Sequence, residues 1–315
     1  MRDDFPKTGP LNTTFGANWS AALDDWFRAL LRQEPTKPPQ VTSAEWRAWL
    51  DAVAAHGMTS LVFTWLLQTA VDHQPPAAIM AELRADHVAN IALAERRRRQ
   101  LTDLVTSFEQ EGIHLLVLKG TALAHWLYAA PELRPSFDID LLVKPEKCAH
   151  AAAILQRASY RFFMGEFRLH RHAEGFDAPY GKLSVDLHKA LSSYVQVNKS
   201  FNLQSLFANS LKVGGIDSLN ATDSLLMACM HLIYNHRQNI RLIWLYDVHL
   251  LAGRMQDLDQ WQNVVQSSVR WQARYALSQA LMLAQQLFGT QFPQVVDDFQ
   301  RYPLTVAESR LHHLV

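Results

Sequence analysis

Ser136-Phe137-Asp138-Ile139-Asp140-Leu141-Leu142-Val143 alternates acid with hydrocarbon and then turns wholly apolar. In a β-strand successive side chains take opposite faces. Asp138 and Asp140 therefore share one face, and Phe137, Ile139 and Leu141 share the other. Two carboxylates side by side repel, and a divalent cation between them relieves the repulsion. The stretch predicts a strand over 137–143 with one face on a core and one on a metal. Magnesium (Mg2+) suits such a face, because it takes few carboxylates and completes its shell with water and phosphate.

Downstream, Leu183-Ser184-Val185-Asp186-Leu187-His188 repeats the alternation and puts Ser184, Asp186 and His188 on one face. If the two strands are neighbours, Asp138, Asp140 and Asp186 converge. Such a trio can hold two metal ions about 3.5–4 Å apart and stabilise both the attacking and the leaving oxygen of a phosphoryl transfer. Asp186 is then the base for an acceptor hydroxyl, and His188 is either a second base or a hydrogen-bonding residue at the strand end. Upstream, Ile113–Leu118 reads as a short buried strand, followed by a turn at Lys119-Gly120-Thr121 and a helix over 121–129. A glycine there lets backbone amides approach a phosphate, and a helix N-terminus favours an anion. Lys119 adds a charge and Thr121 a hydroxyl. Arg134 is a further candidate for the same phosphates.

None of these pieces is specific alone. Asp-x-Asp is common surface decoration, and glycine after a strand is ordinary turn chemistry. Their order, spacing and strand placement agree, and the set carries the reading.

Further out, the chain reads as helix on both sides. Amphipathic segments fall at 20–33, 43–55 and 58–71, and the second has Thr42 or Ser43 as cap and Glu45 in its first turn. Pro75-Pro76 opens a long helical pattern to about 110, with Leu83, Val88, Ile91, Leu101, Leu104 and Phe108 as its apolar stripe. Between the acidic strands a helix over 145–158 and strands over 160–164 and 168–173 are expected. After Thr222, as cap, helices are expected to 235 and over 240–253, 257–268, 270–288 and 304–314. The fold class is α+β: a small mixed-sheet core at 112–220 between an N-terminal helical region, 20–111, and a C-terminal one, 221–315, with a loose tail at 1–19.

Composition agrees. The 315 residues are about half hydrophobic and poor in glycine, which favours helix. The formal net charge is zero, so nothing global attracts nucleic acid or an anionic membrane, and there is no strong signal for DNA binding. The dense basic run Arg96-Arg97-Arg98-Arg99 lies in the long helix and reads as a solvated or ion-paired face. Two distant cysteines, Cys148 and Cys229, make neither a disulfide framework nor a metal knuckle. With no signal peptide and no apolar run of membrane length, the expectation is a cytoplasmic protein without membrane insertion.

Leu118-Lys119-Gly120-Thr121-Ala122-Leu123, Tyr128, Arg134, Asp138-Ile139-Asp140-Leu141-Leu142-Val143 and Val185-Asp186-Leu187-His188 resemble the DNA polymerase β-like nucleotidyltransferase superfamily. Within it they look closest to the bacterial family of uncharacterised nucleotidyltransferases (NTP_transf_5). The resemblance is strongest over 112–190. Thr121 stands where the superfamily usually has serine, and Lys119 where a second glycine is sometimes found. The resemblance implies an enzyme that binds a nucleoside triphosphate (NTP) such as ATP, uses Mg2+ or in its place Mn2+, transfers the nucleoside monophosphate and releases pyrophosphate. It implies Asp138, Asp140 and Asp186 as catalytic metal ligands and Lys119, Gly120, Thr121 and Arg134 at the nucleotide. The acceptor stays open: a sugar, another small molecule, RNA or protein. The alternatives are a non-catalytic nucleotide-binding or interaction module and an Asp-x-Asp glycosyltransferase; the helical first hundred residues count against the latter.

Three other groups bear on the site. His231 and His236 are five apart, which does not stack them on one α-helix face, so a metal pair is not expected. Arg237, Arg241 and Asp247 surround Ile243-Trp244-Leu245-Tyr246, a segment able to wall the nucleotide pocket, although Trp244 and Tyr246 read first as packing residues. Arg161, Phe162, Phe163, Phe167, Arg168, His170, Arg171 and His172 read first as a hairpin with one packed face, and otherwise as the lining of an acceptor cleft or an RNA-binding surface.

Overall fold

The computed structural model describes residues 19–34, 36–163, 173–192, 198, 201–236 and 239–297. Four helices come first: α1 (Ala21–Leu31), α2 (Ser43–Ala55), α3 (Thr59–Leu67) and α4 (Ala77–Gln110). Thr42 caps α2 in a full capping box, its side chain accepting from the Glu45 amide while Glu45 accepts from the Thr42 amide. The α/β part then runs β1 (Leu115–Val117), α5 (Lys119–Trp126), β2 (Asp138–Val143), α6 (Cys148–Arg157), β3 (Arg161–Phe162), β4 (Ala173–Asp177), β5 (Ser184–His188), α7 (Leu203–Ala208), β6 (Leu211–Val213) and β7 (Ile216–Ser218). Helices α8 (Ala221–Met230), α9 (Leu242–Ala252), α10 (Leu258–Arg270) and α11 (Arg274–Phe288) close the fold. Asn220, not Thr222, caps α8, its side chain accepting from the Asp223 amide.

One seven-stranded mixed sheet has the order β3-β4-β5-β2-β1-β7-β6. The acidic strand β2 lies at its centre, antiparallel to β1 and parallel to β5. Alternation along β2 sorts its side chains between two cores. Ile139, Leu141 and Val143 join Val185 and Leu187 against α6 and the second half of α4, through Leu101, Leu104 and Phe108. Leu142, with Leu116 and Leu118, belongs to a larger core shared by α1–α3 and α8–α11. The helices from the two ends of the chain thus pack on one another and on the site-bearing face of the sheet.

Helix α4 bridges these cores. Ile79 and Leu83 enter the larger one and Leu101–Phe108 the smaller. In its middle, Val88 and Ile91, expected in the apolar stripe, are exposed, while His87 and Asn90 meet Phe63 and Ser60 of α3. The basic run lies just beyond that stretch. Arg98 and Arg99 pair with Glu95, Arg96 donates to the Gly181 carbonyl, and Arg97 is half-buried. The hairpin β6–β7, absent from the sequence expectations, turns through Gly214-Gly215, both at positive φ (57° and 81°). It sets Ser218 beside Val117 of β1.

The strand expected over 160–164 is β3 up to Phe162, with the Phe162 ring 4.5 Å from that of Phe176 in β4 and tilted against it by 39°. Met164, most of the strand expected over 168–173, and Phe167, Arg168, His170, Arg171, His172, Arg237 and the helix over 304–314 lie outside the described residues. Among the described residues no single helix is long and apolar enough to cross a membrane; α2 and α3 reach that length only as a pair bent by 117°. Cys148 and Cys229 are free and buried.

Candidate active site

The parallel pairing of β2 with β5 sets Asp138 beside Ser184, Asp140 beside Asp186 and Leu142 beside His188. Pairing in register puts Asp140 and Asp186 on one face, because the side-chain period is two. Asp140 is almost fully buried, Asp186 is partly open and Asp138 stands exposed at the strand's start. Ligand atoms of Asp140, Asp186 and His188 all lie within 4.8 Å of one another, close enough to share one metal ion.

Charge on Asp140 is compensated within the protein. The Lys119 ammonium donates to its Oδ1 at 2.6 Å, and His188 Nε2 lies 2.8 Å from the same oxygen. Burial opposes the charge, but Lys119 and His188 outweigh it and hold the carboxyl well below the usual carboxylate range. An ionised carboxylate only accepts, so Nε2 of His188 carries the proton that meets it. Burial and then Asp140 push the Asp186 carboxyl up. Lys119 owes its reach to its backbone. Its φ of 51° is left-handed, which a non-glycine residue rarely adopts, and it turns the chain from β1 into α5. Gly120 and Thr121 are therefore the first turn of α5, and the Thr121 hydroxyl donates to the Asp138 carbonyl at 2.9 Å.

Arg134 is 5% exposed and bound to Asp247 of α9. Its Nε donates to Oδ1 at 2.8 Å and its Nη2 to Oδ2 at 2.7 Å, while the Tyr128 hydroxyl donates to Oδ1 at 2.7 Å. Burial disfavours the guanidinium charge, but Asp247 outweighs it and holds the proton more firmly than usual.

These groups surround a cavity of about 320 Å³. Lys119, Gly120, Asp138, Asp140 and Arg134 line one end, and His231, His236, Arg241 and Trp244 line another part. Asp186 and His188 lie on the far side of Asp140, outside that lining. Tyr246 points elsewhere, packing on Trp65, Tyr128 and Phe288. His231 and His236 do meet, with ring centroids 4.5 Å apart, contrary to the α-helical expectation. The chain continues α8 as a π-helical turn, His231–Asn235, in which residues five apart come into line.

A match to the family described as "Uncharacterised nucleotidyltransferase" spans residues 42–289. The chain belongs to this family. No curated protein matches the sequence. Several solved structures resemble it, two of them as follows. The solution structure of the antibiotic-resistance factor ANT(2'')-Ia shares 12% identity over 57% of this chain and 92% of that one, with a TM-score of 0.41. The crystal structure of an antigenic nucleotidyltransferase-like protein from Paracoccidioides brasiliensis shares 14% identity over 64% of this chain and 96% of that one, with a TM-score of 0.39.

In this nucleotidyltransferase, Gly120 cannot carry a side chain without moving Arg134. A Cβ there would lie 2.7 Å from both terminal guanidinium nitrogens, which Asp247 and the Pro135 carbonyl hold in place. Gly120→Ala is expected to destabilise the fold by about 1–3 kcal/mol, the usual cost of overpacking. Urea denaturation checks this, and an unchanged midpoint would show that Arg134 yields freely.

Asp138 gives the nucleotidyltransferase a pH signature. Burial by the surrounding protein and the neighbouring Asp140 push its carboxyl up to about 6, even though the side chain reaches solvent at the cavity mouth. An acid raised on folding stabilises the fold fully below its unfolded pKa of about 3.9 and loses that contribution as pH rises through the folded value. Asp138→Asn removes the loss. In chelator, the Tm of the variant minus that of wild type should grow from about pH 4 to about pH 7. A difference that stays flat over that range contradicts the assignment.

Proposed function

We propose that this nucleotidyltransferase transfers a nucleoside monophosphate from an NTP to a hydroxyl or phosphate acceptor and releases pyrophosphate. The observation that carries the reading is the pairing of Asp140 with Asp186 on neighbouring strands, beside a cavity that Asp138 and Asp140 line together with Lys119 and Gly120 from the start of α5. Family membership argues against the glycosyltransferase alternative.

The donor set fits a divalent cation. Two carboxylates lie side by side with an imidazole in reach, and the positive charge that now compensates Asp140 sits on a lysine able to leave it. Asp138, Asp140 and Asp186 would hold magnesium, with His188 orienting Asp140. Magnesium, when bound, neutralises charge on the transferred phosphoryl group. Lys119, released from Asp140, neutralises a phosphate oxygen of the donor. The amides at the start of α5 meet the same phosphates, with their anionic charge favoured by the helix dipole. Thr121 ties α5 to β2 through the Asp138 carbonyl. Arg134 braces Gly120 from behind and holds α5 against α9.

Asp186 lies across Asp140 from the cavity and takes the proton of the acceptor hydroxyl on that side. The donor and acceptor then approach Asp140 from opposite sides, as in-line displacement requires. Pyrophosphate release from an NTP in the presence of an acceptor, and its dependence on Asp138, tests the reading.

A further inference from the structure

One stretch of the cavity wall is built from rings and one cation. Phe137 is 64% exposed one residue before Asp138, an unusual place to leave a phenyl ring in water. The Arg241 guanidinium lies 5.0 Å from the centre of that ring and 5.3 Å from the centre of Trp244. His236 lies 4.4 Å from Trp244 with its plane tilted by 41°, and His231 lies 5.1 Å from it. The π-helical turn makes this wall. An α-helical turn would rotate His236 away from His231, and π turns concentrate at functional sites.

The cavity therefore has two chemically different parts, anion-binding near Lys119 and Gly120 and aromatic near Trp244. A nucleoside triphosphate has the same division. We propose that Phe137 and Trp244 form the base slot of the donor nucleotide, with Arg241 reading an acceptor-bearing base edge, so that guanine is the preferred base. The inference rests on the nucleotidyl-transfer reading above. Flat delocalised groups exchange readily on aromatic faces, and the guanidinium now facing both rings marks where a base would lie. Arginine donates in parallel to the O6 and N7 acceptors of guanine, whereas adenine puts a donor beside its N7. The carboxylates lining the cavity are Asp138 and Asp140 at the phosphate end and Asp247, which is held by Arg134. Burial and the nearby Lys119 push the His231 imidazole well below its usual range, so this ring is neutral and adds no second charge at the slot.

The test is isothermal titration of the full-length chain with magnesium and three probes: non-hydrolysable GTP, non-hydrolysable ATP and inorganic tripolyphosphate. Wild type is expected to bind the GTP analogue about tenfold more tightly than the ATP analogue. Phe137→Ala and Trp244→Ala should each weaken both nucleotides about tenfold, a typical loss for one base–aromatic stack, and leave tripolyphosphate unchanged. Arg241→Ala should abolish the difference between the two bases. Nucleotide binding unaffected by the two aromatic variants overturns the slot, as does equal loss of tripolyphosphate. A preference for adenine, or none, overturns the role of Arg241. Wild type that binds none of the three probes overturns the nucleotidyl-transfer reading itself, which a failed slot alone does not.

Discussion

Asp140→Asn is expected to lower pyrophosphate release by at least about 10³-fold, beyond the loss of a single oxyanion-type contact, because Asp140 serves both sides of the site. It lies between Asp186 and the cavity, and it is the carboxylate that Lys119 and His188 both contact. Asparagine keeps the shape and one acceptor oxygen but not the charge. The variant should fold, with a lower Tm. A carboxyl held below its usual range contributes stability above its unfolded pKa and loses it only as pH falls toward the folded value, and asparagine supplies none. Hydrogen bonds to a charged group are each worth about 1.5–3 kcal/mol, which bounds the loss. Circular dichroism at the assay temperature separates lost chemistry from lost fold. A folded Asp140→Asn protein with near wild-type turnover would remove Asp140 from the mechanism.

Asp247→Ala is expected to cause a large stability loss, about 3–5 kcal/mol, the usual result of removing one partner of a buried ion pair. Both side chains of the Arg134–Asp247 pair are about 5% exposed. The alanine variant strands the Arg134 guanidinium in the interior and removes the acceptor of the Tyr128 hydroxyl. The damage should reach the site, because Arg134 packs against Gly120 at the start of α5. Guanidinium denaturation measures the loss. The double variant Arg134→Met with Asp247→Ala should recover part of it, since no buried charge is then left alone. A single variant within about 1 kcal/mol of wild type would mean that the pair is not formed in solution.

The acidic strands were readable because period-two alternation is a local property. Asp138, Ile139 and Asp140 in β2, and Val185, Asp186 and Leu187 in β5, sort between faces as their spacing requires. The α/β segment between helical blocks was readable too, from apolar runs set against 3.6-residue periodicity. The neighbouring of Asp140 and Asp186 was only a condition, since strand order depends on pairings between distant segments. The same reason hid Asp247 as the partner of Arg134, which lies 113 positions away. Lys119 was legible as a charge near phosphate but not as a counterion of Asp140, because that contact needs a left-handed lysine.

Other misses had local causes. His231 and His236 do not align in α-helical geometry, and one inserted residue in a π turn changes which side chains align. An apolar stripe through Val88 and Ile91 needs one core along the whole of α4, whereas the helix spans two. The β6–β7 hairpin carried a signal within reach: Gly214-Gly215 between the short runs Leu211–Val213 and Ile216–Ser218 is hairpin-turn chemistry.

The most direct measurement is pyrophosphate release by the full-length chain with magnesium, each of the four ribonucleoside triphosphates, and pooled acceptors of sugars, RNA and protein, run beside Asp138→Asn. Acceptor-dependent pyrophosphate is expected from at least one NTP with wild type, and a rate at least about 10²-fold lower with the folded variant. Equal release by wild type and Asp138→Asn would contradict it.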